Sequence, residues 1–302
     1  MLLALIFSLA ACGQGLGSTP SGKSQVVATT TIVGDVVKNI AGESAQVEVL
    51  MPIGSDPHSF QPTPQDVAKV AHADLIFANG AGLETFLQPM LQNAGSKAEV
   101  VPVSQRIPLL QSQELDIPNA TQSGGKPAGD PHTWLDPQNV ITWTLTIEQN
   151  LIQVDPAHTQ AYTANAEAYR AKLRDLDSWI RQQVDQIPPE NRRLVTGHVA
   201  FTYFAKDYGF QQIGAVIPAY STLAEPSAQD VARLEDTIRK LGVKAIFVEE
   251  AANPALSERV ARDTGAKLVQ LYIPSLTSPN GPAPTYLDLM RYDVKAIVEA
   301  LK

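Results

Sequence analysis

Cysteine is nearly absent: the 302 residues contain one, Cys12. No disulfide can form within the chain, so packing must hold the fold together. Basic charge is short as well. Against 31 Asp and Glu stand 23 Lys and Arg, giving a net charge of −8 and a pI near 5.1. That balance argues against nucleic acid, whose binders carry basic patches. Long hydrophobic runs are missing too. The most apolar stretch, "MLLALIFSLAA", is roughly ten residues long, where a membrane-spanning helix needs about 20. Histidine is scarce, five in all, so the place of each one matters. What the chain does have is 44% hydrophobic and 18% charged residues, a globular composition with material for real cores. Its length suggests about two domains.

The lone cysteine is placed informatively. Leu9-Ala10-Ala11-Cys12 resembles a bacterial lipobox, in which the cysteine is lipidated and becomes the mature N-terminus. No Lys or Arg precedes the apolar run, a departure that predicts a natural start further upstream. Residues 13–25 are rich in Gly and Ser and read as a flexible tether. The expectation is a lipoprotein signal over 1–12, followed by a domain held off a membrane surface.

From residue 26 the pattern alternates between strand and helix. "QVVATTTI" reads as a strand and "VGDVVKNIAG" as a helix closing on Gly42. "AQVEVLM", "ADLIFANG" and "AEVVPVS" read as further strands. Between them lie a helix capped by Thr63 with Pro64 and Asp66 behind it, and a second helix over "LETFLQPMLQNAG". A polar stretch, 109–130, follows. The spacing then predicts one long helix over 155–188, with apolar positions at Tyr162, Ala166, Tyr169, Leu173, Leu176, Ile180 and Val184. After it the alternation resumes with "RLVTGH", "FQQIGAVI", "VKAIFVEE" and "AKLVQLY" as strands. A helix with a Ser227/Asp230 capping box and a Gly242 stop lies among them, and a terminal helix closes the chain. The predicted architecture is α/β: a lobe over 26–154, a linking helix over 155–188 and a lobe over 189–302, each with a mainly parallel sheet. A long helix as the only link predicts modest lobe movement.

Two of the five histidines, His72 and His158, read as partly exposed helix residues. His58 and His132 lie in loops, each in the tripeptide Asp-Pro-His, and His198 ends the strand "RLVTGH". Ligands of open α/β sheets gather at the carboxyl ends of strands, and neutral imidazole suits zinc. The three could share one metal ion between the lobes, although no compact ligand motif links them.

The segments "GSDPHSFQPTPQDVAKVAHADLIFANGAGLETFL", "GDPHTWLDPQNV", "VTGHVAFTYFAKDYGF", "AEPSAQDVARLEDTIRKLGVKAIFVEEAANP" and "GPAPTYLDLMRYDVKAIVEAL" resemble the zinc- and manganese-binding solute-binding proteins of bacterial ABC importers. The resemblance runs from residue 26 to 302 in the same order. It implies two α/β lobes linked by a single long helix, with the metal site in the interlobe cleft and His58, His132 and His198 as ligands. It also implies an extracytoplasmic, membrane-anchored receptor that is monomeric and works with a membrane permease.

One position departs from the family. Where relatives carry a carboxylate ligand, this chain has Pro274 in "LYIPSLT". Proline has no donor atom in its side chain, so the fourth ligand falls to water or to another carboxylate, with Glu249 the nearest candidate. Glu225 and Asp288 read as structural. Losing an oxygen ligand tilts the expectation towards zinc, with manganese as the alternative. The stretch 109–130 has no histidine and so lacks the His-rich loop of some zinc-specific relatives. Two other readings fit the same residues: a metal-free adhesin or other ligand binder, and a zinc hydrolase using a three-histidine site.

Overall fold

Thr30 ends the first strand sooner than the β-branched run suggests. Its hydroxyl accepts the N–H of Val33 at 3.1 Å, so the chain leaves β1 (Ser24–Ala28) and enters α1 (Thr31–Ala41). The computed structural model describes residues 22–111, 129–250 and 253–302. Cys12, the signal segment and nearly all of the tether lie outside the described residues, as does most of the polar stretch 109–130. Then come β2 (Ala45–Val49), α2 (Pro64–Ala71), β3 (Leu75–Ala78), α3 (Leu87–Ala94) and β4 (Glu99–Pro102). The Thr63 capping box of α2 is present as expected, with Thr63 and Asp66 bonded in both directions.

The long-helix expectation needs correcting. Residues 156–158 form a 3-10 turn, and the helix proper, α5, is Thr159–Val184, preceded by an unexpected 18-residue helix α4 (Pro137–Val154). Pro156 cannot donate an N–H to a continuing helix, so the chain breaks there. Asp136 caps α4 by accepting the N–H of Gln138 at 2.8 Å, with Pro137 in the first turn. The apolar stripe on α5 is as read: Tyr162, Ala166, Tyr169, Leu173, Leu176, Ile180 and Val184 are all buried. Its 26 residues extend about 39 Å at 1.5 Å each.

The second half supplies β5 (Arg193–His198), α6 (Thr202–Tyr208), β6 (Gln211–Ile217), α7 (Ala228–Leu241), β7 (Ala245–Glu249), α8 (Ala255–Thr264), β8 (Lys267–Leu271) and α9 (Tyr286–Leu301). Two four-stranded sheets result, ordered β2-β1-β3-β4 and β6-β5-β7-β8, every pairing parallel. The order is the same in both halves.

Side chains alternate across each sheet, and the burial follows. In β7, Ala245 and Phe247 face one core while Ile246 and Val248 face another. In β1, Val26 and Ala28 point one way and Val27 the other. The outer faces are covered by α2 and α3 in one lobe and by α7 and α8 in the other. The inner faces share a single core with α1, α4, α5 and α9. The terminal helix α9 therefore crosses back to the first lobe, where the N–H of Tyr286 donates to Asp35 of α1 at 3.0 Å. The lobes are joined by this packing as well as by α5. No described helix is long and apolar enough to cross a membrane.

Candidate metal centre

Both Asp-Pro-His tripeptides make the same local turn. Asp56 accepts the N–H of His58 at 2.9 Å, and Asp130 accepts the N–H of His132 at 2.8 Å. In each the carboxylate closes a turn over the intervening proline, which has no N–H of its own. The turns hold the backbone so that each histidine projects towards the cleft. His132 is further fixed by Asn79, whose side-chain N–H group bonds the carbonyl of Pro131 at 3.0 Å. His198 arrives by a different route, at the carboxyl end of β5, a central strand of its sheet.

The three imidazoles meet. The Nε2 atoms of His58 and His132 are 3.2 Å apart and those of His132 and His198 are 2.9 Å apart. Among the described residues this is the group of histidines and acids whose potential ligand atoms all lie within 4.8 Å of one another. For comparison, two nitrogens bound tetrahedrally to zinc at about 2.0–2.1 Å stand about 3.3 Å apart. His72 and His158 are elsewhere, exposed at helix ends, one near the carbonyl of Ala68 and the other paired with Asp155.

Two rings are oriented from behind. Nδ1 of His132 donates to Asp130 at 2.6 Å, and Nδ1 of His198 donates to Glu249. A neutral ring that donates from Nδ1 keeps its lone pair on Nε2, so both lone pairs point into the same space. Glu249 ends β7, the neighbour of β5 in the sheet, which brings the two strand ends side by side. Gly197 makes this approach possible, because a Cβ there would collide with the Glu249 carboxylate. Asp130 also accepts the hydroxyl of Thr202, while its carbonyl accepts from Tyr203 at 2.8 Å. Glu249 thus stands behind His198, on its Nδ1. Pro274 and Glu249 line the same cavity as the three rings, with Asp56, Trp134 and Thr222.

Burial keeps protons off two of the three rings. Burial, and then the neighbouring His198, hold His132 well below the ordinary histidine range. Burial and both partner imidazoles do the same to His58. Burial also pulls on His198, but the carboxylates around it, Glu249 first and then Asp56 and Asp130, together raise the ring. Burial lifts Asp130 to about 7 against the pull of its hydrogen bonds to Thr202 and His132. Two of the three rings therefore stay neutral, and three acids, Asp56, Asp130 and Glu249, stand around them.

Sequence reasoning singled out the three histidines that the fold brings together, and missed most of the residues behind them. Asp130 was signalled, since it belongs to the second Asp-Pro-His. Thr202 and Thr222 carried no local signal, because their contacts span 72 and 166 residues. Asp288 proves structural as expected, accepting the cap hydroxyl of Thr285 at 2.6 Å.

Residues 26–300 match the family described as zinc-uptake complex component A, periplasmic. The chain belongs to this family. It is 35% identical, over all of its length and 96% of the relative's, to the manganese-binding lipoprotein MntA of Halalkalibacterium halodurans. It is 34% identical to the iron-binding protein YfeA of Yersinia pestis, covering 97% of this chain and 91% of that one. Among solved structures, the periplasmic zinc-binding protein TroA of Treponema pallidum superposes with a TM-score of 0.80 at 30% identity, over 93% of this chain and 99% of that one. A manganese-bound periplasmic metal-binding protein of Candidatus Liberibacter asiaticus matches with the same TM-score of 0.80 at 29% identity, over 93% of this chain and all of that one. Membership makes this chain a substrate-binding receptor of the metal ABC importers rather than an enzyme, and disposes of the hydrolase reading.

Proposed function

We propose that this protein captures one divalent transition-metal ion outside the cytoplasmic membrane, on Nε2 of His58, His132 and His198, and presents it to an ABC permease for uptake. The ion is cargo, carried and given up unchanged. The observation that carries the reading is the convergence of the three Nε2 atoms, at 3.2 and 2.9 Å, with two of the rings held from Nδ1 by Asp130 and Glu249. A metal-free adhesin would leave that arrangement without a use.

Zinc is the preferred cargo in this reading. Three nitrogen donors suit zinc, whereas manganese favours oxygen, and Pro274 supplies no side-chain oxygen. Water completes the coordination, since Glu249 is committed to His198. The relatives named for manganese and iron make manganese the competing assignment. Lipidation at Cys12 would hold the receptor on the bilayer beside its permease, as a monomer facing it with the cleft.

The test is competitive loading. Metal-stripped protein is offered zinc and manganese together and its content measured. One zinc per chain, absent from a variant with alanine at 58, 132 and 198, is the expected result. Stoichiometric manganese would transfer the assignment to that ion, and no bound metal would overturn the receptor reading.

A further inference from the structure

The three histidines are not held alike. His132 and His198 are 1% and 2% exposed, and each has a carboxylate on its Nδ1. His58 is less deeply buried than either. Among the described residues nothing accepts from its Nδ1, and the rings it meets are the other two imidazoles, at centroid distances of 5.3 and 5.4 Å. It sits on the connection between β2 and α2, with no regular element under it.

That connection is held from both lobes: on its own side the Phe60 ring meets Phe86 at a centroid distance of 4.9 Å, and across the cleft two hydrogen bonds reach it. Asp56 accepts the His58 N–H with one oxygen. With the other it accepts the hydroxyls of Ser59 at 3.1 Å and of Thr222 at 2.6 Å. Thr222 lies on the β6–α7 connection, across the cleft. A second tether runs from the N–H of Gly54 to the Ser275 hydroxyl at 2.9 Å, and Ser275 follows Pro274 on the segment after β8. Two of the three rings thus have a carboxylate on Nδ1, whereas the turn that carries the third is bonded across the cleft.

We propose that Thr222 is a positioning residue that couples contact between the lobes to metal retention, by holding Asp56 and, through the Asp56–His58 turn, the His58 ring against the ion. The proposal rests on the receptor reading above. When the Thr222 hydroxyl lets go, the site falls back to His132 and His198, and the ion is held by two rings instead of three. A partner that draws the β6–α7 connection outward would loosen the cargo without touching any ligand.

The experiment compares wild type, Thr222→Val and Thr222→Ser. Valine keeps the branched shape and removes the hydroxyl, and serine restores it. Zinc release from the loaded protein is followed into an excess of a chromophoric chelator, and the visible spectrum of the cobalt(II)-loaded protein reports the ligand set. Release from Thr222→Val should be on the order of tenfold to a hundredfold faster, the loss that follows from one charge-assisted hydrogen bond. Its cobalt band should shift and change intensity as His58 leaves. Thr222→Ser should return both readouts to near wild type. Wild-type release and spectrum in Thr222→Val would overturn the proposal, as would equal impairment of the valine and serine variants, which would assign the effect to packing. Failure of the wild type itself to bind zinc or cobalt would instead remove the receptor reading beneath it.

Discussion

Asp130 grips His132 twice, taking the backbone N–H at 2.8 Å and the ring Nδ1–H at 2.6 Å with the same oxygen. One carboxylate oxygen thereby fixes both the height of the residue and the direction of its ring. Asp56 makes the first of these bonds to His58 and spends its other oxygen on Thr222 and Ser59. Identical tripeptides end up with different duties because their surroundings differ.

Asp130→Asn keeps an acceptor for the backbone but weakens the hold on the ring. The expected loss is roughly 10–100-fold in zinc affinity, as is usual for a group behind a ligating histidine, and Asp130→Ala should lose more. Competition against a chelator of known affinity measures both. Unchanged affinity in the alanine variant would remove Asp130 from the site's design.

Glu249→Gln separates a ligand from a support. If Glu249 acts only through His198, affinity falls by roughly 10–100-fold, while one zinc still binds and the cobalt spectrum keeps its shape. A changed spectrum would place the carboxylate on the metal. His198→Ala, in contrast, should abolish stoichiometric binding.

Pro274→Asp returns an oxygen donor to the cavity wall. The zinc-to-manganese ratio in competitive loading should move towards manganese, because a carboxylate is the donor that ion favours. A ratio equal to wild type would show that residue 274 does not face the ion closely enough to bind.

Asp293 gives a pH test away from the cleft. It is 2% exposed, accepts the N–H of Tyr272 at 2.9 Å with one oxygen, and burial raises it to about 8. The folded state holds this proton more tightly than the unfolded chain does, whose Asp titrates near about 3.9. Its stabilisation is therefore full below about pH 4 and is lost as pH rises through about 8. Asp293→Asn should flatten the fall in the urea midpoint between about pH 5 and about pH 9, a difference on the order of a few kcal/mol. Parallel curves for the two proteins would mean that Asp293 does not titrate as described.

The alternation of strands and helices was legible because each element keeps its own period and stop signals, such as the Thr63 and Ser227 boxes and Gly242. Helix α4 was not. Its sequence, "PQNVITWTLTIEQNLIQV", is crowded with Thr, Ile and Val, which restrict side-chain rotation in a helix. Only tertiary packing of Trp143, Ile147 and Leu151 settles it. The three histidines could be found because two stand in a repeated tripeptide and one ends a strand. Their supports could not, since Thr202 and Thr222 act over long sequence separations. Glu249 was singled out, but its role depends on β7 lying beside β5, which no local pattern reveals.

The return of α9 across α1 bears on how the cargo is let go. Swinging the lobes apart like the covers of a book would strip Tyr286 from Asp35 and Trp134, and bare Tyr169, Leu176 and their neighbours to water. At about 1.5–3 kcal/mol for each large apolar side chain exposed, a handful of them outweighs the few hydrogen bonds that hold the His58 loop. The spine of this book is glued along its length. On the coupling proposed for Thr222, the ion leaves by the lifting of one page's corner, with the book still shut.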